Sequence, residues 1–292
     1  MNFPYGDITT PPPDFAPPEM WPEFGHIATS RTPCSREEVG TDRKGTRWGI
    51  WPIFFEEYVG DEKPDLQAAD SGALTYSRAV VWKRVRNTGP EKGWVTLSKR
   101  PHRIDGYYRL DKNIDFVAGW SKSARRDLRE WQKKYLGTKC AIESIGYEEF
   151  VEAYKQSTVA KKTDSVFLEI LERKQQIPIC RENSTMWGVR DLATGKIIAG
   201  NVNYFSRRYK SSVREFPFVL PEALGGHASV ALMEHWMAEA LRQECPLAVA
   251  THFWQPGEPK DWKGFSAFKA QFGYTYVACA PALWKFRAGK LF

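Results

Sequence analysis

From Lys139 to Phe286 the chain alternates between two hydrophobic periods in a fixed order, and few architectures accept that order. Lys139–Ile145 reads as a strand. Tyr147–Ser157 and Asp164–Gln175 read as helices, with Phe150, Val151 and Tyr154 on one face of the first and Phe167, Ile170 and Leu171 on one face of the second. Met186–Leu192 and Ile197–Phe205 flank the turn Ala193-Thr194-Gly195-Lys196 and predict a hairpin, and Ser212–Leu220 adds a third strand. Ala228–Gln243 is a long helix, Leu247–Trp254 a strand, Gly264–Phe272 a helix, and Tyr274–Cys279 and Leu283–Phe286 are short strands. The order β-αα-βββ-α-β-α-ββ mixes both element types in one unit, so the expected class is α+β (mixed α/β).

The segments before this unit read differently. Seven prolines between Pro4 and Pro22 favour an extended arm that lacks backbone donors. Residues from about 45 to 110 are rich in aromatic and β-branched residues between Gly, Pro and Asp turns, and predict short strands. We therefore expect a Pro-rich arm at 1–24, a β-rich region at 25–118 and the mixed domain at 119–292. That domain opens on an amphipathic helix from Ser121 to Tyr135, with Ala124, Leu128, Trp131 and Tyr135 as its apolar stripe and Ser121 or Ser123 as its cap.

Charge is concentrated rather than spread. The net charge of +7 splits into −6 for residues 1–80, +9 for 81–134 and +4 for the remainder. Lys122, Arg126, Arg129 and Lys133 form a ridge on the polar side of the helix, with Arg125 on its flank. Such a basic block suits a polyanion such as RNA, a nucleotide or a phosphorylated lipid, or is simply a solvated face. Five dispersed cysteines without a CxxC pair argue against a disulfide framework and against zinc, and fit a reducing cytoplasm. His227 and His235 lack metal-ligand spacing, so no metal is expected. No signal peptide is expected from MNFPYGDITTPPP, and no apolar run reaches the ~18 residues of a membrane span.

The segment Gly264–Tyr274 places a charge within an apolar stripe. At ~100° per residue Phe265, Phe268 and Phe272 share a face, and Lys269 points along it. A lysine so placed shifts its pKa, pairs with an anion, or snorkels to water.

These features resemble the GNAT acyltransferase fold over about Lys139–Phe286. The hairpin DLATGKIIAGNVNYF, the FSAFKAQFGY segment and the basic helix SKSARRDLREW resemble elements of its FemXAB-like branch. That branch includes the Fem peptidoglycan-bridge aminoacyltransferases and the leucyl/phenylalanyl-tRNA protein transferases. The resemblance implies an N-acyltransferase that forms an amide on an amine acceptor, with no tightly bound cofactor. Its donor would be aminoacyl-tRNA, or alternatively acyl-CoA. The acceptor would be a peptide, an amino acid or a peptidoglycan precursor. It also implies donor phosphates at the junction before the long helix, at Gly225, Gly226, Ala228 and Ser229. Ala223 stands where the CoA-type loop has Gln or Arg, which favours the RNA donor.

Amide formation needs a base for the amine and a donor for the oxyanion. Lys269 matches a lysine that the Fem-like branch places near the acyl acceptor, which implies electrostatic stabilisation. Glu215, alternating with Val213, Pro217 and Val219, is a base candidate, or else the ion-pair partner of Arg207, Arg208 or Arg214. Pro217 would break regular pairing of its strand. His227, beside the Gly-rich turn, and His252, at the end of Leu247–Trp254, are further candidates or structural histidines. The competing readings are a non-catalytic basic module that binds nucleic acid, and a GNAT-like scaffold whose site has decayed.

Overall fold

Two sheets share the chain in the computed structural model, which describes residues 3–21, 23–24, 41–48, 51–63, 77–162, 166–223, 227–260 and 262–287. In chain order the elements are β1 (Ile8–Thr9), β2 (Thr41–Trp48), β3 (Trp51–Val59), β4 (Ser77–Lys83), β5 (Val95–Thr96), β6 (Ile104–Arg109), α1 (Lys122–Lys134), β7 (Cys140–Ser144), α2 (Tyr147–Lys155), α3 (Thr158–Lys162), α4 (Val166–Gln176) and α5 (Pro178–Glu182). They continue with β8 (Ser184–Asp191), β9 (Ile197–Ser206), β10 (Ser211–Val219), α6 (His227–Arg242), β11 (Leu247–Ala250), α7 (Trp262–Lys269), β12 (Thr275–Ala278) and β13 (Leu283–Arg287). The larger sheet has the order β1-β12-β6-β11-β10-β9-β8-β7, and the smaller β2-β3-β4-β13-β5. The class is α+β, as the element order predicts. The last two strands part company: β12 joins the larger sheet and β13 the smaller.

Helix α1 forms as its spacing dictates. Ser121 Oγ accepts from the Ala124 N–H at 3.1 Å, and Ala124, Leu128 and Trp131 are buried. The cluster that takes in Leu128 also holds Met233, Trp236 and Met237 of α6 and Phe272 just past α7, packed with Phe205 and Ala248 of the sheet. On the other face Val202, Tyr204 and Val213 pack with Phe150 and Tyr154 of α2 and Leu171 of α4. Phe15, Trp21 and Phe24 of the proline-rich arm join that second cluster. The prolines leave carbonyls without ladder partners, and the Arg86 guanidinium collects three of them, donating to Pro12 O at 2.7 Å, Pro13 O at 2.7 Å and Phe15 O at 3.0 Å.

Two strands depart from their sequence expectation. β10 is bulged: Glu215 lies opposite Val202 but Phe218 lies opposite Gly200, and Phe216 takes a left-handed φ of 50° beside Pro217. β11 ends at Ala250 rather than Trp254. The cause lies on β6. The buried Asp105 carboxylate accepts the His252 N–H at 2.8 Å, and His252 adopts φ 60°, which turns the chain out of the ladder.

Candidate functional site

β10 and β11 run parallel but pair only at Ser211↔Leu247, Ser212↔Ala248 and Val213↔Val249. Beyond Val213 the bulge turns β10 one way and His252 turns the other chain aside. From Arg214 onward β10 has no β11 partner among the described residues, so the two strands part there as a fork.

From the last turn of α7, Lys269 reaches the segment just past β11. Its ammonium donates to Thr251 O at 2.5 Å and His252 O at 2.9 Å, and lies 4.7 Å from the centre of the Phe253 ring. An ammonium has three N–H donors, so one is left without an acceptor among the described residues. Burial lowers its pKa to about 8, against the opposing fields of Asp105 and Glu215. Of the expected apolar stripe, Phe272 is fully buried and packs edge-on against Phe268. Phe265 is not part of it and is 54% exposed, because α7 ends at Lys269 and a tighter 3₁₀ turn carries Phe272 inward.

Glu215 lies on β10 just past the last residue paired with β11, and the Lys269 charge acts on it. Burial raises its carboxyl pKa, and the Lys174 ammonium on α4 is the largest opposing charge. Arg207 and Arg208 are not its partners, and Arg214 points to the other face, where its Nη1 meets Met233 Sδ at 3.3 Å. Nε and Nη2 of Arg214 are buried with no hydrogen-bond partner among the described residues, and burial lowers its pKa to about 10. Lys174 is itself buried, 4.6 Å from the centre of the Tyr204 ring, and its pKa is lowered to about 8 by burial.

A third charge group was not evident from the sequence. Arg103 pairs with Asp105 at 2.8 Å and with both carboxylate oxygens of Glu19 in the arm, the second at 3.0 Å. Asp105 holds His252, and His252 holds Lys269, so arm, β6 and α7 are wired into one network. An Arg-x-Asp pair in HRIDGYY is the only trace of it in the sequence.

The remaining candidates divide by place. His252 sits just past the end of β11, its Nε2 3.4 Å from Glu258 Oε1 and its ring 4.9 Å from that of Trp262; burial lowers its pKa. His227 lies elsewhere, at the start of α6. Its neighbours are Glu130, at 3.8 Å, and Tyr135, both contributed by the C-terminal end of α1. Ala228 is buried in the first turn of α6 and Ser229 follows it; Gly225 and Gly226 lie outside the described residues. Lys122, Arg125, Arg126 and Arg129, with Ser123, line an open recess of about 420 Å³ on α1. Arg126 pairs with Asp127, whereas Lys122, Arg125, Arg129 and Lys133 have no carboxylate partner among the described residues. Ser123 Oγ donates to Gln271 Oε1 at 2.9 Å, so the start of the ridge abuts the segment that follows Lys269.

No protein-family model matches the chain, nor does any curated protein. Solved structures do. The chain is similar to FemX at a TM-score of 0.60 and 11% identity, over 87% of this chain and 86% of that one. It is also similar to the C-terminal domain (DUF2156) of a lysylphosphatidylglycerol synthetase from Agrobacterium fabrum, at a TM-score of 0.52 and 10% identity, over 85% and 81% of the two chains. These likenesses show that the chain has a GNAT-like fold.

Proposed function

We propose that this chain is an N-acyltransferase that joins an acyl group to an amine as an amide, with aminoacyl-tRNA as the donor. The observation that carries the reading is Lys269, a half-buried ammonium fixed by two carbonyls at the fork of β10 and β11, with one N–H left without an acceptor among the described residues. In this reading the donor's ester carbonyl enters the fork. The unspent N–H, together with backbone N–H groups of β10 past Val213 that face away from β9, would receive the oxyanion of the tetrahedral intermediate. Glu215 takes the proton of the attacking amine, and its raised pKa suits a base that must also release that proton. The intermediate collapses by expelling the ribose hydroxyl. Arg103 and Asp105 position His252 and, through its carbonyl, Lys269.

Two features favour RNA over CoA as donor. The α1 ridge offers Lys122, Arg125, Arg129 and Lys133, without carboxylate partners among the described residues, and its start abuts the segment that follows Lys269. The start of α6, which would take CoA phosphates, instead has Glu130 beside His227. Titrating acetyl-CoA and a mixed aminoacyl-tRNA pool separately, at two salt concentrations, tests the choice. Salt-sensitive tRNA binding without CoA binding is expected. CoA binding alone would overturn the RNA donor and reduce the ridge to a solvated face.

A further inference from the structure

Helix α7 carries a second feature besides Lys269. Trp262 is 45% exposed and Phe265 54% exposed, on a helix whose other end, Phe268 and Lys269, is half-buried. At ~100° per residue Trp262, Phe265 and Lys269 fall within about 60° of one another, on one stripe. The stripe therefore begins as exposed aromatic surface and ends at the half-buried ammonium of Lys269. The Trp262 ring meets the ring of His252 edge to face, and His252 is the residue whose carbonyl holds Lys269.

The rim of this surface is cationic. Lys260 and Lys263 are exposed, and Lys263 Nζ lies 5.5 Å from the centre of the Trp254 ring. Arg100 lies against the loop before α7, donating to Pro256 O at 2.8 Å. Of the two acidic residues of that loop, Asp261 lies outside the described residues and Glu258 is turned inward: it accepts the Gln255 N–H at 2.7 Å and faces His252. Flat aromatic surface with lysines on its border is the pattern that takes a base and the phosphates attached to it.

We infer that Trp262 and Phe265 form a stacking ledge for a nucleobase, the terminal adenine of an RNA whose ribose carries the ester that Lys269 meets. The choice of ligand rests on the donor reading above. Phe265 precedes Lys269 by four residues, about 6 Å along the helix axis, and Trp262 by about 10 Å. A ribose joins its base to its own ester within such a span. The pantetheine arm of CoA instead holds its thioester many bonds away from its adenine. The stack orients the 3′ nucleotide, and Lys263 and Lys260 receive the phosphates behind it.

The test uses the full chain and a fluorescein-labelled RNA ending in ACCA, alongside the same RNA with an abasic final residue. Trp262→Ala should weaken binding of the intact end about 5- to 100-fold, and Phe265→Ala by a smaller factor in the same range. Trp262→Phe should retain most of the affinity. The abasic RNA should bind the wild type weakly and be indifferent to Trp262→Ala. Lys263→Ala should weaken both RNAs alike and reduce the salt slope by about one. An equal loss on intact and abasic ends, or no loss, would overturn the ledge, as would a wild type that does not distinguish the two RNAs. Displacement of ACCA by CoA would move the ledge to the CoA adenine and overturn its assignment to RNA. A transfer assay separates this inference from the catalytic one. Ledge binding without acyl transfer removes only the catalytic reading, and transfer with unchanged affinity in Trp262→Ala removes only the ledge.

Discussion

The ammonium of Lys269 donates at 2.9 Å to the carbonyl of His252, the residue whose left-handed φ of 60° ends β11. The same residue thus ends the strand and fixes the cation beside it. Burial has lowered the pKa of that cation to about 8 from the ordinary lysine value of 10.5. Between about pH 8 and 10.5 the unfolded chain binds the proton that the folded chain has released, so stability rises with pH across that window. Below about pH 8 the cost of burying the charge is present in full. Lys269→Met removes this contribution, so the variant should be more stable than the wild type at pH 7, with the gap closing towards pH 10.5. Urea melts at both pH values measure it.

Glu215 and Lys269 set the two limbs of the pH profile. As the base, Glu215 must be ionised, and its raised pKa moves the acidic limb above the usual glutamate range. As the oxyanion donor, Lys269 must be charged, so the rate falls above about pH 8. Glu215→Gln should lower the rate about 10²- to 10⁴-fold and abolish the acidic limb while leaving the alkaline one. A profile of kcat/KM against pH checks both points.

Arg214 keeps a buried guanidinium edge without a partner among the described residues. Removing an uncompensated buried charge is neutral or stabilising, by up to about 4 kcal/mol, when an apolar group of similar shape replaces it. Arg214→Met should therefore unfold in urea at or above the wild-type midpoint. A loss of more than about 2 kcal/mol would mean that the guanidinium has a stabilising partner.

The arm is core rather than ornament. Trp21 is fully buried, and its Nε1 donates to Ala16 O at 3.0 Å. Trp21→Ala should cost about 3–5 kcal/mol. Because Glu19 of the same arm pairs with Arg103, the variant should also lower transfer activity at temperatures where it remains folded. Thermal unfolding and activity measured on the same preparation separate the two effects.

Much of this was legible from local pattern. The stripe Ala124, Leu128, Trp131 and the cap Ser121 define α1 from neighbours three and four residues apart, and the structure follows them. The order β10, α6, β11 and the irregularity at Pro217 were legible for the same reason. Lys269 stood out because a charge in an apolar stripe is anomalous at the level of the sequence. What was hidden depends on distant residues. β11 stops early because Asp105, about 150 positions away, takes the His252 N–H. Glu215 answers to Lys174 rather than to the arginines next to it, because strand alternation sends Arg214 to the opposite face. Phe265 looked like core because its period matched, and no periodicity reveals that the helix it belongs to stops at Lys269.

The most direct test is transfer itself. Wild type and Lys269→Met would be incubated with a pool of tRNA charged with labelled amino acids and with a panel of amine acceptors, and amide product would be followed in a single turnover. The account predicts product with the wild type and a loss of about 100-fold or more in rate with Lys269→Met, with tRNA affinity little changed. Equal rates for the two proteins, or a variant that loses tRNA affinity while its bound complex still turns over normally, would contradict it.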